Sequence, residues 1–314
     1  MSKLLSVVIP AYNEEENILN TAKTVLDILD RENIPCELVF VSDGSADKTY
    51  EKIQEAAKLD SRVRGVEFSR NFGKEAAISA GLATGSGSCF AVMDCDLQHP
   101  PETLVQMYRM WQDGFEIVEG IKSNRGKESP LYKAMSNLFY GIISRFTGFD
   151  MRNTSDFKLL DRAVVDVLLQ MPERKTFFRA LTFWTGFRSC RVSYRVAQRA
   201  AGTTKWSTRA LIRYAFSNII SFSSAPLNIV TFMGVGSLFF SFVMGVQTLI
   251  RWCLGNSIEG FTTVILLMLL LGGSILVGLG LIGQYIAAIY DEIKQRPRYI
   301  ISKDTRQEDR RESR

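Results

Sequence analysis

Two long tracts of this 314-residue chain lack charged residues altogether. No Lys, Arg, Asp or Glu occurs from Tyr214 to Ile250 or from Gly260 to Tyr290. Each tract exceeds the roughly 20 apolar residues that cross a bilayer core, so we predict two transmembrane helices within residues 226–290. The preceding part of the chain has no such tract, which favours a separate water-exposed domain.

The sequence is also poor in cysteine and histidine. Its five cysteines are an odd number without paired spacing, so neither a disulfide framework nor a zinc site is expected. His99 is the single histidine, and we predict that it lies at the surface. No Ser/His/Asp triad is indicated, and no internal repeat is present.

Basic residues flank the two apolar tracts. Between the tracts only Arg251 and Glu259 are charged. By the positive-inside rule we expect a two-span protein of the cell membrane, with the preceding water-exposed domain and both termini in the cytoplasm and the short loop outside. The basic flank would also attract anionic lipid, and nucleic acid is not an expected partner. The residues before the first tract are Arg191, Arg195, Arg199, Lys205, Arg209 and Arg213.

The first 120 residues alternate between strand-like and helix-like periods. Short β-rich runs begin at Leu4, Leu38, Val63 and Phe90, and amphipathic helical patterns lie between them. This order predicts an α/β domain with a mainly parallel, Rossmann-like sheet and helices on both faces. Ligands of such sheets bind beyond the carboxyl ends of the strands.

The sequence as a whole predicts four regions. An exposed loop is expected near residues 121–135, and the charged tail from Lys303 is expected to be disordered. The predicted regions are a cytoplasmic domain (1–206), a juxtamembrane amphipathic segment (207–225), two transmembrane helices (226–290) and a charged tail (291–314).

Asp94-Cys95-Asp96 ends the fourth strand. Two such carboxylates repel each other unless a cation holds them, and Mg²⁺ or Mn²⁺ prefers oxygen ligands shared with substrate phosphates. Gln98 offers a further neutral oxygen. A solvated turn is the alternative interpretation, but the position at the carboxyl edge of a sheet favours metal.

Two further strand ends carry polar residues. Asp43 follows the second strand, where a carboxylate suits a base or ribose, although capping the next helix is the better explanation when Asp43 is taken alone. Arg70 and Lys74 flank Gly73 at a helix start and suit a diphosphate, with a solvated basic turn as the alternative.

Asp156 precedes an apolar, strand-like run, where a lone acid is ordinarily a cap or an ion-pair partner. Arg199 and Lys205 lie in a glycine-containing segment that ends at Trp206. This segment suits a lipid phosphate at headgroup level, or is an ordinary juxtamembrane flank.

Together these motifs resemble the inverting glycosyltransferases of GT-A fold, and within them the polyprenyl-phosphate glycosyltransferases. The bactoprenol glucosyltransferases and, more distantly, dolichol-phosphate mannose synthase are the types most similar. The resemblance spans residues 4–301. Its motifs are Val8–Glu15, Val41–Ser45, Ser69–Glu75, Asp94–Gln98, Ser155–Arg162, Gly202–Trp206 and Tyr290–Pro297. One departure is Thr204, where the family usually has serine before the lysine.

The resemblance implies a role for each matching residue. Asp156 matches the acid usually given as catalytic base, and Asp94 and Asp96, with Gln98, would hold metal and diphosphate. The nucleotide would be surrounded by Pro10, Ala11, Tyr12, Glu14 and Asp43. The acceptor phosphate would meet Arg125, Arg199 and Lys205.

The implied reaction transfers a hexose, with inversion, from a nucleotide sugar to undecaprenyl or another polyprenyl phosphate. UDP-glucose is the first choice of donor, and UDP-N-acetylglucosamine is the alternative. A processive polysaccharide synthase would share the nucleotide and metal motifs, but the additional spans and the Gln-x-x-Arg-Trp motif that it needs are missing from this sequence. Homo-oligomerisation stays open.

Overall fold

The structure is a computed structural model that describes residues 3–122, 155–173, 176–195, 225–254 and 261–306. The chain divides into two compact units. One comprises Met1–Lys205 together with Arg296–Arg314, and the other comprises Trp206–Gln295.

In the part of the chain that the structure describes, the first unit is built on one sheet of eight strands. The strands are β1 (Leu5–Ala11), β2 (Cys36–Ser42), β3 (Val63–Phe68), β4 (Cys89–Val92), β5 (Ile117–Lys122), β6 (Lys158–Asp161), β7 (Ser189–Tyr194) and β8 (Ile301–Asp304). Their order across the sheet is β7-β5-β6-β4-β1-β2-β3-β8. The neighbours among β1, β2, β3 and β4 are parallel, as predicted, whereas β6 is antiparallel to both β4 and β5.

Among the described residues, six helices complete this unit. Strands β1 and β2 are buried almost throughout because both of their faces are covered. Helix α1 buries only one stripe, which includes Ile18, Val25 and Leu29, and this matches its amphipathic pattern. The helices are α1 (Ile18–Arg31), α2 (Thr49–Leu59), α3 (Lys74–Thr84), α4 (Glu102–Gln112), α5 (Arg162–Gln170) and α6 (Phe178–Trp184).

The prediction of a disordered tail from Lys303 is wrong for its first residues, because β8 pairs antiparallel with β3 at the edge of the sheet. An edge strand exposes unpaired backbone groups, and β8 satisfies those of β3. Arg64 Nη2 lies 2.6 Å from Asp304 Oδ2. The Thr305 hydroxyl also accepts the Gly65 N–H at 3.1 Å.

The second unit contains two long helices, α7 (Ala225–Cys253) and α8 (Phe261–Ile293). Within them, Val230–Arg251 and Leu267–Ile293 are long and apolar enough, by length and composition alone, to cross a membrane. The predicted amphipathic segment at 207–225 lies outside the described residues except for its last residue, and so does the loop at 121–135 except for its first two.

Candidate active site

The register of β6 against β4 brings two predicted acids together. Val92 pairs with Lys158 in antiparallel register, so Asp94, two residues beyond, faces Asp156, two residues before. Lys74, the first residue of α3, lies between them. Its Nζ is 2.5 Å from Asp94 Oδ1 and 3.0 Å from Asp156 Oδ2. The predicted diphosphate-binding lysine therefore bridges the two carboxylates.

This cluster holds its carboxylates ionised. Burial alone would raise the pKa of Asp156, but Lys74 and Arg179 outweigh burial and hold that pKa well below its usual range. The pKa of Asp94 is lowered in the same way, because Lys74 outweighs burial. Burial would lower the pKa of Lys74, and the two carboxylates raise it instead. Asp156 is therefore an anion at neutral pH.

Arg179 of α6 is the residue that sequence analysis missed. Its Nε donates to Asp156 Oδ1 at 2.6 Å and its Nη2 donates to Asp156 Oδ2 at 2.9 Å. One signal was present in the sequence: Arg179 is the single charged residue of the stretch 176–187. Pattern alone does not connect that arginine with an acid 23 residues earlier.

Asp43 organises the turn that leads into α3. Its carboxylate is buried and accepts the N–H groups of Phe72 and Gly73 at 2.7 and 2.9 Å. Gly44 makes this approach feasible, because its φ is +61° and a Cβ there would lie 2.3 Å from the carbonyl carbon of Arg70. The exposed Arg70 guanidinium lies over the Phe72 ring, 4.1 Å from its centroid.

The segment after β1 reaches the same edge of the sheet. The Ala11 carbonyl accepts the Asp43 N–H at 2.9 Å, which joins the ends of β1 and β2. Tyr12 is half exposed, and the Glu14 N–H donates to the Thr49 hydroxyl at 2.9 Å. Pro10, the remaining predicted nucleotide contact, is the last residue but one of β1. A planar base and a ribose would find an aromatic ring and carboxylates at this edge.

The turn after β4 is compatible with a divalent cation. Asp96 Oδ1 accepts the Gln98 N–H at 3.1 Å, and Leu97 between them has φ +55°. Among the described residues no three His, Cys, Asp or Glu side chains form a metal-binding group. Mg²⁺ keeps several non-protein ligands and is commonly bound by one or two carboxylates plus phosphate oxygens. Asp94 and Asp96 therefore fit a cation that arrives with a diphosphate.

His99 is not at the surface, and that prediction is wrong. The ring is 6% exposed and stacks on Phe157 at a centroid distance of 4.6 Å. The Tyr194 ring meets it edge-on at 5.6 Å. His99 Nδ1 accepts the Asp94 N–H at 3.3 Å, so the histidine supports the turn that carries the predicted metal ligands.

The three residues predicted to meet the acceptor phosphate are not part of this geometry. Arg125, Arg199 and Lys205 lie outside the described residues. Their roles stay predictions.

Known proteins resemble this chain over most of its length. Residues 6–168 match the glycosyl transferase family 2. The uncharacterized glycosyltransferase YkcC of Bacillus subtilis (strain 168) is 36% identical over 300 residues, covering 95% of this chain and 93% of the relative. The SfII prophage-derived bactoprenol glucosyl transferase of Shigella flexneri is 36% identical over 304 residues, covering 96% and 98%.

A solved structure shows the same fold. Glucosyl-3-phosphoglycerate synthase from Mycobacterium tuberculosis, in complex with Mn²⁺, UDP and glucosyl-3-phosphoglycerate, matches with a TM-score of 0.53 at 18% identity. The match covers 69% of this chain and 78% of that one. The predicted GT-A fold is thereby confirmed.

Proposed function

The chain belongs to glycosyl transferase family 2 and is a glycosyltransferase, and we propose that it transfers a hexose from a nucleotide sugar to polyprenyl phosphate. UDP-glucose is the proposed donor, in keeping with the names of the bactoprenol glucosyl transferases. The observation that carries this proposal is the meeting of Asp94 and Asp156 across Lys74 at the carboxyl edge of the sheet.

The nucleotide sugar would bind at the ends of the parallel strands. Asp43 would hold the turn at the start of α3 against the nucleotide, and Asp94 and Asp96, with Gln98, would hold Mg²⁺ or Mn²⁺. When bound, the cation neutralises charge that develops on the diphosphate leaving group. Related folds that bind Mn²⁺ or Mg²⁺ together with UDP support this assignment.

The acceptor needs little help from a base. A phosphate monoester is already mostly dianionic at pH 7, so its oxygen is a nucleophile without losing a proton. Asp156 is ionised, and in this proposal it orients the acceptor and stabilises positive charge developing on the sugar. Catalysis then rests on alignment and electrostatics, and a single displacement inverts the anomeric configuration.

The acceptor lipid places the reaction at the membrane. We propose that α7 and α8 span the cell membrane with both termini and the catalytic unit in the cytoplasm. Arg125, Arg199 and Lys205 would bind the lipid phosphate. A cysteine introduced at Ser257 should be labelled from outside intact cells, whereas cysteines at Ser2 and Ser313 should require permeabilisation. Outside labelling of either terminus would contradict this topology.

Transfer is tested with the full-length protein in nanodiscs. Undecaprenyl phosphate and a panel of radiolabelled nucleotide sugars are supplied, with unphosphorylated undecaprenol as the control. We expect one β-linked glucosyl phospholipid, formed only from the phosphorylated lipid and abolished by EDTA. Product from UDP-N-acetylglucosamine would change the donor, and a polymer would indicate a processive synthase. Equal use of the unphosphorylated lipid would contradict the proposed acceptor.

A further inference from the structure

The Asp156–Arg179 pair fixes the orientation of the acid as well as its charge. Two parallel N–H···O bonds from one guanidinium define the plane of the carboxylate, which a single ammonium such as that of Lys74 does not. The Asp156 side chain is 12% exposed and that of Arg179 is 34% exposed. The pair is therefore partly shielded from water while remaining open to a substrate.

A buried ion pair supports the backbone on both sides of Asp156. Lys158 is 3% exposed, and its Nζ lies 3.1 Å from Glu119 Oε1 on β5. The same Glu119 oxygen accepts the Ser155 N–H at 3.4 Å. Ser155 and Lys158 flank the acid in the chain, so the Glu119–Lys158 pair limits the movement of the segment that carries it.

The same pair also reaches the helix that carries Arg179. Lys158 Nζ donates to the Thr182 hydroxyl of α6 at 2.9 Å, and that hydroxyl donates to the Arg179 carbonyl at 3.1 Å. At the start of α6, the Phe178 N–H donates to Glu75 Oε2 at 2.8 Å. Helix α6 is thus held on either side of Arg179.

Stability alone does not account for this arrangement. Burying two charges costs several kcal/mol per ion, and apolar side chains of similar volume commonly stabilise a fold as well or better. Burial lowers the pKa of Lys158 despite the attraction of Glu119, which reflects that desolvation cost. What the ion pair does supply is fixed geometry, because its hydrogen bonds connect β5, β6 and α6.

We propose that Arg179 is a positioning residue that orients the Asp156 carboxylate for glycosyl transfer, and that the buried Glu119–Lys158 pair holds both partners in place. The inference rests on the proposed role of Asp156. Arg179 acts through the acid and is not itself assigned to the substrate.

The first test separates orientation from charge. Arg179→Lys keeps the positive charge but cannot form the two parallel hydrogen bonds, and Arg179→Ala loses both the charge and the hydrogen bonds. Because a small misplacement of a reacting group can cost about 10²-fold, we expect kcat to fall roughly 10²-fold for Arg179→Ala and less for Arg179→Lys. The donor KM should change less than about threefold. The matched control is Arg109→Lys, which alters an arginine–carboxylate pair with Glu32 at the surface and should leave both constants unchanged.

A double-mutant cycle tests whether Arg179 acts through the acid. In an Asp156→Asn background, Arg179→Ala should lower kcat by less than about twofold further. An equal loss in both backgrounds would overturn the proposal. So would a loss confined to the KM of the lipid phosphate, since that result would make Arg179 an acceptor-binding residue. UDP affinity, measured by calorimetry, verifies that each variant is folded.

The support is tested by replacing the buried pair with apolar residues, Glu119→Leu together with Lys158→Met. Because the Ser155 N–H loses its Glu119 acceptor, the melting temperature should fall by several degrees, and kcat should fall roughly tenfold. Unchanged kcat in a folded variant would refute the supporting role. Hydrolysis of the nucleotide sugar by water, measured in every variant without lipid, keeps this test independent of the acceptor. If the wild type makes no lipid product, the acceptor assignment fails, while the hydrolysis rates still decide the role of Arg179.

Discussion

Two parts of the site hold their carboxylates by different means. The donor half comprises the end of β1 and the turns after β1, β2 and β3 (residues 10–14, 43–45 and 69–73). In this half, Asp43 is bound by backbone N–H groups. The catalytic half comprises Asp94, Asp156, Lys74 and Arg179. In this half, the two acids are bound by side-chain cations. Burial raises the pKa of Asp43 in spite of its hydrogen bonds, whereas the cations lower that of Asp156.

In one half the carboxylate fixes the shape of a turn, and in the other half it supplies a fixed negative charge. A carboxylate held by N–H groups fixes the path of a turn, and in the proposed function the donor half would depend on that path to receive a nucleotide. A carboxylate held by two cations has a fixed charge and a fixed plane, which suits a group beside the reacting carbon. Changes in the donor half should therefore alter donor affinity, and changes at Asp156 and Arg179 should alter kcat.

The largest effect is expected for Asp156→Asn. Asparagine keeps the size of the side chain but loses its charge and leaves Arg179 and Lys74 without that anion. Losing one electrostatic group of this kind lowers kcat roughly 10²–10³-fold, with UDP affinity nearly unchanged. Steady-state kinetics and calorimetry measure the two quantities. Asp166→Asn, in a surface pair with Arg162, is the control. A change in UDP affinity with no change in kcat would contradict the assignment of Asp156 to the catalytic half.

The donor half was the more predictable of the two from sequence. Its polar residues follow recognisable strands, and Asp43-Gly44 is local to one turn. Asp94 and Asp156 were also found, because each adjoins an apolar strand. The pairing of Asp156 with its two cations was harder to predict from the sequence. Lys74 lies 82 residues away in sequence and Arg179 lies 23 away. Their pairing depends on the β4–β6 register and the placement of α6, which no local pattern contains.

The errors have the same origin. His99 was expected at the surface because one residue in a polar turn carries no sign of the aromatic rings that enclose it. The tail was expected to be disordered because its charges indicate solvation, whereas Asp304 meets Arg64, 240 residues earlier. Long-range pairing decided both cases. The strands themselves were predictable because their hydrophobic runs are local.

The next largest effect is expected in the donor half, where substitutions of two glycines test the turn that Asp43 holds. Gly44→Ala would place a Cβ 2.3 Å from the Arg70 backbone, whereas at Gly73, also at positive φ, a Cβ meets nothing within 4 Å. Each substitution places an alanine at a positive φ, which costs roughly 1–3 kcal/mol, and Gly44→Ala adds a clash with backbone. We expect UDP affinity to fall roughly 100-fold for Gly44→Ala and about tenfold for Gly73→Ala. Equal losses, measured by calorimetry, would show that the contact at Gly44 does not set the turn.

A smaller effect is expected where a side-chain ion pair closes the edge beside the donor half. Arg64→Ala would leave the mostly buried Asp304 without its cation and weaken the β3–β8 pairing. We expect a loss of roughly 1–3 kcal/mol, seen as a melting temperature several degrees lower, with kcat and UDP affinity unchanged. Lys303→Ala removes an exposed pair on the same strand and is expected to have little effect. Reduced UDP affinity in Arg64→Ala would make this edge part of the donor half.

The smallest effect concerns Glu75, which follows Lys74 in α3 and supports α6. Burial raises its pKa from 4.5 to about 7. The folded state therefore binds a proton more tightly than the unfolded chain, and this contribution to stability is lost as pH rises from about 4.5 through 7. Glu75→Gln keeps an acceptor for the Phe178 N–H and cannot ionise. Its melting temperature should exceed that of the wild type at pH 8 and converge with it near pH 5.

Glu55→Gln, at an exposed pair with Lys52, controls for the loss of one surface charge. Because the amide still holds the start of α6, kcat of Glu75→Gln at pH 7 should stay within about threefold of the wild type. A variant less stable than the wild type at pH 8 would mean that the ionised carboxylate stabilises the fold. Glu75 would then belong with Asp156 among the acids held by cations, because Lys74 and Arg179 would have outweighed its burial.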